Sequence, residues 1–306
     1  RVSTVQTLAA YLDDEITAMP NLVTVGAGGT ASTVAGIPFY SADTSSIYTT
    51  DVSGTDSTAS GNSAYGYQAM DAITTGDNNT AVGSSALGAN TTASYNTAVG
   101  SQALLANTEG HSNTSTGYQS LITNTTGNSN TATGIYAMYR NTTGSNNTAV
   151  GKSALEANTT ADSNTAVGYH SLYANTTGAQ NVAVGQASLD ANTTASYNTA
   201  LGYGALSSNT TGSSNTAVGR GSLLTATTAS NNTGVGYGSL NLTTTGASNT
   251  GVGYFSLTAN TTGDANVAIG DDALKANTTA DNNTAVGTSA LAANTTGEVN
   301  SAFGAL

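Results

Sequence analysis

Cysteine and tryptophan are missing from this chain, and only two prolines, three phenylalanines and two histidines occur among its 306 residues. The lack of cysteine excludes disulfides and thiolate metal sites, and it allows an extracellular setting without requiring one. Charge is also scarce, at 7% of residues where a soluble domain has about 25%. The balance is acidic, 17 carboxylates against five basic side chains for a net −12. No Lys/Arg cluster or basic stripe exists, which argues against nucleic acid as a partner; the acidic excess suits solubility. No apolar run approaches the ~18 residues of a membrane span, so no membrane insertion is expected. The sequence opens at Arg1 without a signal-peptide pattern, placing any export signal outside these residues.

Gly, Ala, Ser, Thr and Asn dominate what is present. Such a low-complexity composition often accompanies disorder, but strict periodicity opposes that reading. The phrase Asn-Thr-Ala-Val-Gly and its variants end on a glycine at Gly66, Gly83, Gly100 and every 17th residue onward to Gly304, fifteen times without insertion or deletion. Loops tolerate length changes and stacked coils do not. The consensus coil is Asn-Thr-Ala-Val-Gly-x-x-Ala-Leu-x-x-Asn-Thr-Thr-Gly/Ala-x-x, as in residues 147–163. It has two related halves, each closing on a small residue followed by variable, mostly polar ones. Glycine with polar neighbours is corner chemistry, and the Thr- and Val-rich stretches between corners favour short strands. Helix propensity is poor throughout. The chain is therefore read as all-β, a parallel β-roll or β-solenoid with two short strands per coil.

Each repeat position then becomes a ladder with about 4.8 Å between rungs. One apolar ladder includes Val82, Val99, Val150, Val184, Leu201 and Ile269; a second includes Leu87, Leu104, Met138, Leu155, Leu172 and Leu274. A small residue precedes each rung, so small and large side chains are expected on opposite faces of their strands. Whether the Val or the Leu ladder faces the interior is left open. Asn ladders run through both halves (Asn90, Asn107, Asn124 in one; Asn79, Asn96, Asn113 in the other), suited to bonding one another and the corner backbone. They also create Asn-x-Ser/Thr patterns such as Asn90-Thr91-Thr92. Recurrence in phase with the corners points to structural use, with glycosylation as the alternative. One Val and one Leu per coil are a small apolar return for ordering 17 residues, so association of several chains is expected.

No catalytic, cofactor-binding or metal site is assigned. His111 and His170 fall at different repeat positions, the Asp271-Asp272 pair reads as a solvated turn, and Gly202-Tyr203-Gly204 lacks the following helix that phosphate binding needs. The position after the repeat glycine holds Tyr67, Tyr118, Tyr169, Tyr203, Tyr237 and Tyr254. Exposed, these rings could stack on sugars of a cell-surface glycan; otherwise they pack over corners or between chains. The Thr91, Thr125, Thr142 ladder raises a third function, ice binding, because regular threonines can match a lattice.

Residues 1–20 differ in kind. Ser3-Thr4-Val5-Gln6 resembles a capping box, and Val5, Leu8, Leu12 and Ile16 share one helical face, predicting a short helix ending near Met19-Pro20. It would serve attachment or oligomerisation. Residues 21–60 read as a β-rich transition module, with strands at 22–25 and 47–50, ahead of the shaft at 61–306.

The repeat resembles the head repeats of trimeric autotransporter adhesins, which carry Asn-x-x-x-Ile/Val-Gly-x-x-Ala. It is more similar to the repeat arrays of bacteriophage tail-fibre proteins, where Asn-Thr-Ala-Val-Gly-Tyr-x-x-Leu-x-x-Asn-Thr-Thr-Gly recurs; residues 164–178 and 198–212 match that form closely. Adhesin heads use repeats shorter than this one, and residues 1–60 lack their anchor, which favours the fibre. The resemblance, over 61–306, implies left-handed rolls wound as a homotrimer for host or surface attachment. A virion tail fibre is expected, joined near its N-terminus to a phage tail or baseplate protein; a bacterial cell-surface adhesin is the alternative. Solenoids need a polar terminal cap, so further repeats or a tip are expected after Leu306.

Overall fold

Thr-Ala-Val followed by glycine folds locally as a three-residue strand closed by a corner. The computed structural model describes strand residues 24–25, 31–34, 37–40 and 47–48 and the continuous run 58–305. The helix predicted over 1–20 lies outside the described residues. Four short strands come first, β1 (Thr24–Val25), β2 (Ala31–Val34), β3 (Ile37–Tyr40) and β4 (Ile47–Tyr48), each antiparallel to the next. β4 then pairs in parallel with β5 (Ser63–Tyr65), the first of fifteen strands that end at β19 (Ser301–Phe303). From β5 onward every pairing is parallel and shifted by one repeat, so Thr148, Ala149 and Val150 face Thr165, Ala166 and Val167. The result is a parallel β-solenoid of 17-residue coils.

Each coil holds one strand, not the two expected from its related halves. The Asn-Thr-Thr half does stack, but several donors converge on one carbonyl. Thr159 O accepts from Thr142 N at 2.9 Å, from Thr143 N at 3.2 Å and from the Thr142 hydroxyl at 3.0 Å. Such convergence bends the segment and precludes the alternating donor and acceptor pattern of a strand.

The expected opposition of small and large side chains holds in the strand, where Ala149 is buried and Val150 exposed, but is corrected at the second ladder. Ala154 and Leu155 are adjacent, yet both are fully buried. Alternation of faces needs extended backbone, whereas Ser153 and Leu155 have φ of +56° and +53°. Two left-handed residues flanking Ala154 turn both apolar side chains inward. The same φ recurs at the Leu or Met of the other coils, as at Leu87 (+51°) and Met138 (+50°). A left-handed L-residue costs about 1–2 kcal/mol; full burial of a leucine returns about 1.5–3 kcal/mol, so burial sustains the conformation.

The core is consequently a stack of the Leu/Met ladder from Met70 to Leu274 against the strand-centre alanines from Ala64 to Ala285, at 0–4% exposure. The Val ladder points outward: Val82, Val99, Val150, Val184, Leu201 and Ile269 are 37–41% exposed, and Val167, Val218, Val235, Val252 and Val286 are half-buried. Glycine is obligatory before each corner. Gly168 has φ +135°, and a Cβ there would stand 2.6 Å from Gly185 O of the next coil.

Both Asn ladders are buried and engaged. Asn124 Nδ2 donates to Asn107 Oδ1 at 2.8 Å and to Gly127 O at 3.0 Å. In the other ladder Asn79 Oδ1 accepts from Asn96 N at 2.9 Å, while Asn79 Nδ2 donates to Ala93 O at 2.9 Å. The first ladder breaks where Ala226 and Thr243 replace asparagine, and Asn209 Oδ1 and Thr243 Oγ1 are left buried with no hydrogen-bond partner.

Candidate functional site

The residue after the repeat glycine emerges where the strand ends, and the glycine's positive φ swings it away from the core. All six tyrosines at this position are exposed, from 44% at Tyr118 and Tyr237 to 73% at Tyr67. They share one edge of the solenoid but not one environment. Tyr67 has no ring neighbour among the described residues. The other five fall into three aromatic clusters.

In the first cluster Tyr118 meets Tyr136 edge-on with centroids 5.7 Å apart, and Tyr136 meets Tyr139 at 5.5 Å. Gln119, Tyr136, Tyr139 and Glu156 bound a small recess of about 170 Å³ there. In the second, His170 is stacked between Tyr169 at 4.0 Å and Tyr173 at 4.5 Å, with Lys152 Nζ 5.9 Å from the Tyr169 ring. Burial raises the Asp190 carboxyl above its ordinary 3.8, and the charge of His170 opposes that shift. Asp190 Oδ1 is buried and accepts no hydrogen bond.

The third cluster is the largest. Tyr237 stacks on Tyr254 at 5.5 Å, and Phe255 meets both rings, Tyr237 at 5.3 Å and Tyr254 at 4.4 Å. Arg220 occupies the tyrosine position of the intervening coil, its guanidinium carbon 5.5 Å from the Tyr203 ring centre and 5.8 Å from that of Tyr237. Beside these rings a recess of about 320 Å³ opens, floored by Gly221, Gly238, Leu224 and Asn241. Asn241 Nδ2 donates to Gly221 O at 2.9 Å.

The recess exists because side chains are missing. Two places after the repeat glycine, other coils carry Gln102, Gln119, Ser153 or His170 in a left-handed conformation. Gly204, Gly221 and Gly238 take that place in three successive coils with φ of +62° to +63°. The side-chain ladder lapses over these coils and resumes at Phe255, which a Cβ on Gly238 would strike at 2.5 Å.

Tyr203 and Tyr237 are thus brought into one site with Arg220, Tyr254 and Phe255, while Tyr67, Tyr118 and Tyr169 lie in other coils. Reading the tyrosines alone missed Arg220, Phe255 and Asn241. The available signal was Gly-x-Gly in three consecutive coils, a departure visible only against the repeat. Among the described residues no group of His, Asp or Glu side chains is placed to hold a metal ion. His111 accepts a hydrogen bond at Nδ1 from Ser94 N at 3.0 Å, and Asp272 pairs with Lys275 at 2.9 Å. No protein-family model, curated protein or solved structure matches the chain.

Proposed function

We propose that the chain is the shaft of a homotrimeric fibre, of the kind carried by phage tails, that supports attachment to a host cell. The observation behind this reading is the outward Val ladder. It places one partly exposed apolar side chain in every coil but the two that carry Thr116 and Thr133, over about 65–70 Å. A partner covering such a stripe must share its spacing, and a second copy of the same chain does so rung for rung. Closed symmetry then limits the assembly. The aromatic clusters along the tyrosine edge, which Tyr67 does not join, supply stacking surfaces for a cell-surface glycan, and residues 1–60 would join the shaft to a phage tail or baseplate protein. On this reading the protein belongs to the virion, outside the cell.

A trimeric bacterial surface adhesin would use the same coil and differ in what residues 1–60 attach to. Ice binding draws less support, because the threonine hydroxyls on which it relies are engaged coil to coil, as from Thr125 Oγ1 to Thr142 O at 3.1 Å. Light scattering of the purified chain tests the assembly. A particle of three times 30.0 kDa is expected, and a stable monomer would remove the fibre reading.

A further inference from the structure

Two departures from the repeat, one outside and one inside, coincide in the coils between Gly202 and Phe255. Outside, Gly204, Gly221 and Gly238 vacate one ladder. Inside, in the coils that carry Arg220 and Asn241, Ala226 and Thr243 interrupt the Asn ladder and leave two buried oxygens without partners. An orphaned buried polar atom is destabilising, and neighbouring coils show that the repeat has a better solution. Local rules yield in this way where function asks for it.

We propose that this recess binds a carboxylated saccharide, with Arg220 receiving the carboxylate and the rings of Tyr203, Tyr237 and Phe255 receiving the sugar. The chemistry follows from the lining. Aromatic faces take the C–H faces of sugar rings, and a tyrosine adds a polar handle at its rim. The Asn241 amide lines the floor, as a site for hydroxyl groups requires. Arg220 is one of five basic residues in the chain, and among the described residues it has no carboxylate within ion-pair distance. Ring contacts engage a guanidinium through its faces and leave its N–H edge to grip a carboxylate with two parallel bonds. One carboxylate matches one arginine. A phosphate monoester would bring more charge than a single guanidinium balances in a chain of net −12. The volume of about 320 Å³ stands at the lower end of small-ligand sites, which run from about 300 to 1,000 Å³.

The site deepens, and rests on, the reading of the chain as a surface-attachment fibre, but the two fail separately. A trimer that binds no saccharide keeps the shaft and loses the site. The test is calorimetric titration of the purified chain with an oligoglucuronate and with its neutral, carboxyl-reduced counterpart. The acidic probe is expected to bind about tenfold or more tightly than the neutral one. Arg220→Gln should bring the acidic probe down to the neutral level. Gly221→Gln should abolish binding of both, since it refills the recess with the side chain that Gln102 and Gln119 carry at the same position and similar φ. That precedent protects the fold, which circular dichroism checks. Tyr67→Ala, at the isolated tyrosine, should change nothing. Equal binding of the two probes, binding of neither, full binding by Arg220→Gln, or loss through Tyr67→Ala would each overturn the assignment.

Discussion

Single residues in this chain are constrained by their counterparts one coil away, because nearly every side chain meets its own repeat partner. Gly168 is the strictest case, with a φ that favours glycine and Gly185 O where a Cβ would go. Gly168→Ala should destabilise the solenoid by at least ~3 kcal/mol, with the loss of hydrogen-exchange protection centred on the adjoining coils. Asp190 carries a different constraint. Its carboxyl titrates above 3.8 because burial disfavours the charge, so the folded chain holds this proton more tightly than the unfolded one. Stability from Asp190 is therefore present below pH 3.8 and declines as pH rises through the elevated value. Asp190→Asn is expected to raise the melting temperature near neutral pH and to leave it unchanged at about pH 3. A higher melting temperature for the variant at both pH values would show that the effect is not the titration.

At the scale of the element, the unit is the ladder rather than the strand. Three-residue strands supply few hydrogen bonds each, and the stacked asparagines supply the remainder from inside. In-phase Asn is legible in the sequence, and so is its alliance with the corners. The lapse at Ala226 and Thr243 allows a test by repair. Ala226→Asn combined with Thr243→Asn should reconnect Asn209 to Asn260 and gain roughly 1–3 kcal/mol, read as a shift in denaturation midpoint. Breaking the regular part with Asn158→Ala should cost a similar amount, because Asn158 now bonds both Asn141 and Asn175. Leu155→Ala, in the apolar ladder, should cost about 2–5 kcal/mol. Fold class and period were readable because apolar and turn residues repeat in phase. Strand count was not, because donors of the Asn-Thr-Thr half converge on single carbonyls; nor was the facing of the Ala-Leu pair, because it was read as extended. Nothing in the composition of that pair announces a left-handed leucine.

For the whole molecule, the proposed association rests on the outward Val ladder. Lysine at Val150 and Val184 would put two charges per chain into any contact between stripes while leaving the buried Leu ladder untouched. The double variant is expected to scatter light as a monomer with an unchanged circular dichroism spectrum. Retention of the parent mass would move the interface elsewhere on the chain. The candidate site is also a property of the whole array. Its rings come from separate coils, and its volume lies over Gly221 and Gly238, where two of them lack a side chain.

The sequence by itself determined the 17-residue step, the parallel stacking, the positions of the corners and the structural role of asparagine. These follow from periodicity, and periodicity is a one-dimensional property. Only the tertiary structure decided that Leu faces in and Val faces out, that one half-coil is a strand and the other a bent ladder, and which tyrosines share a site. Those outcomes depend on left-handed φ values at specific non-glycine residues, which a stacked neighbour sustains and a linear pattern does not encode.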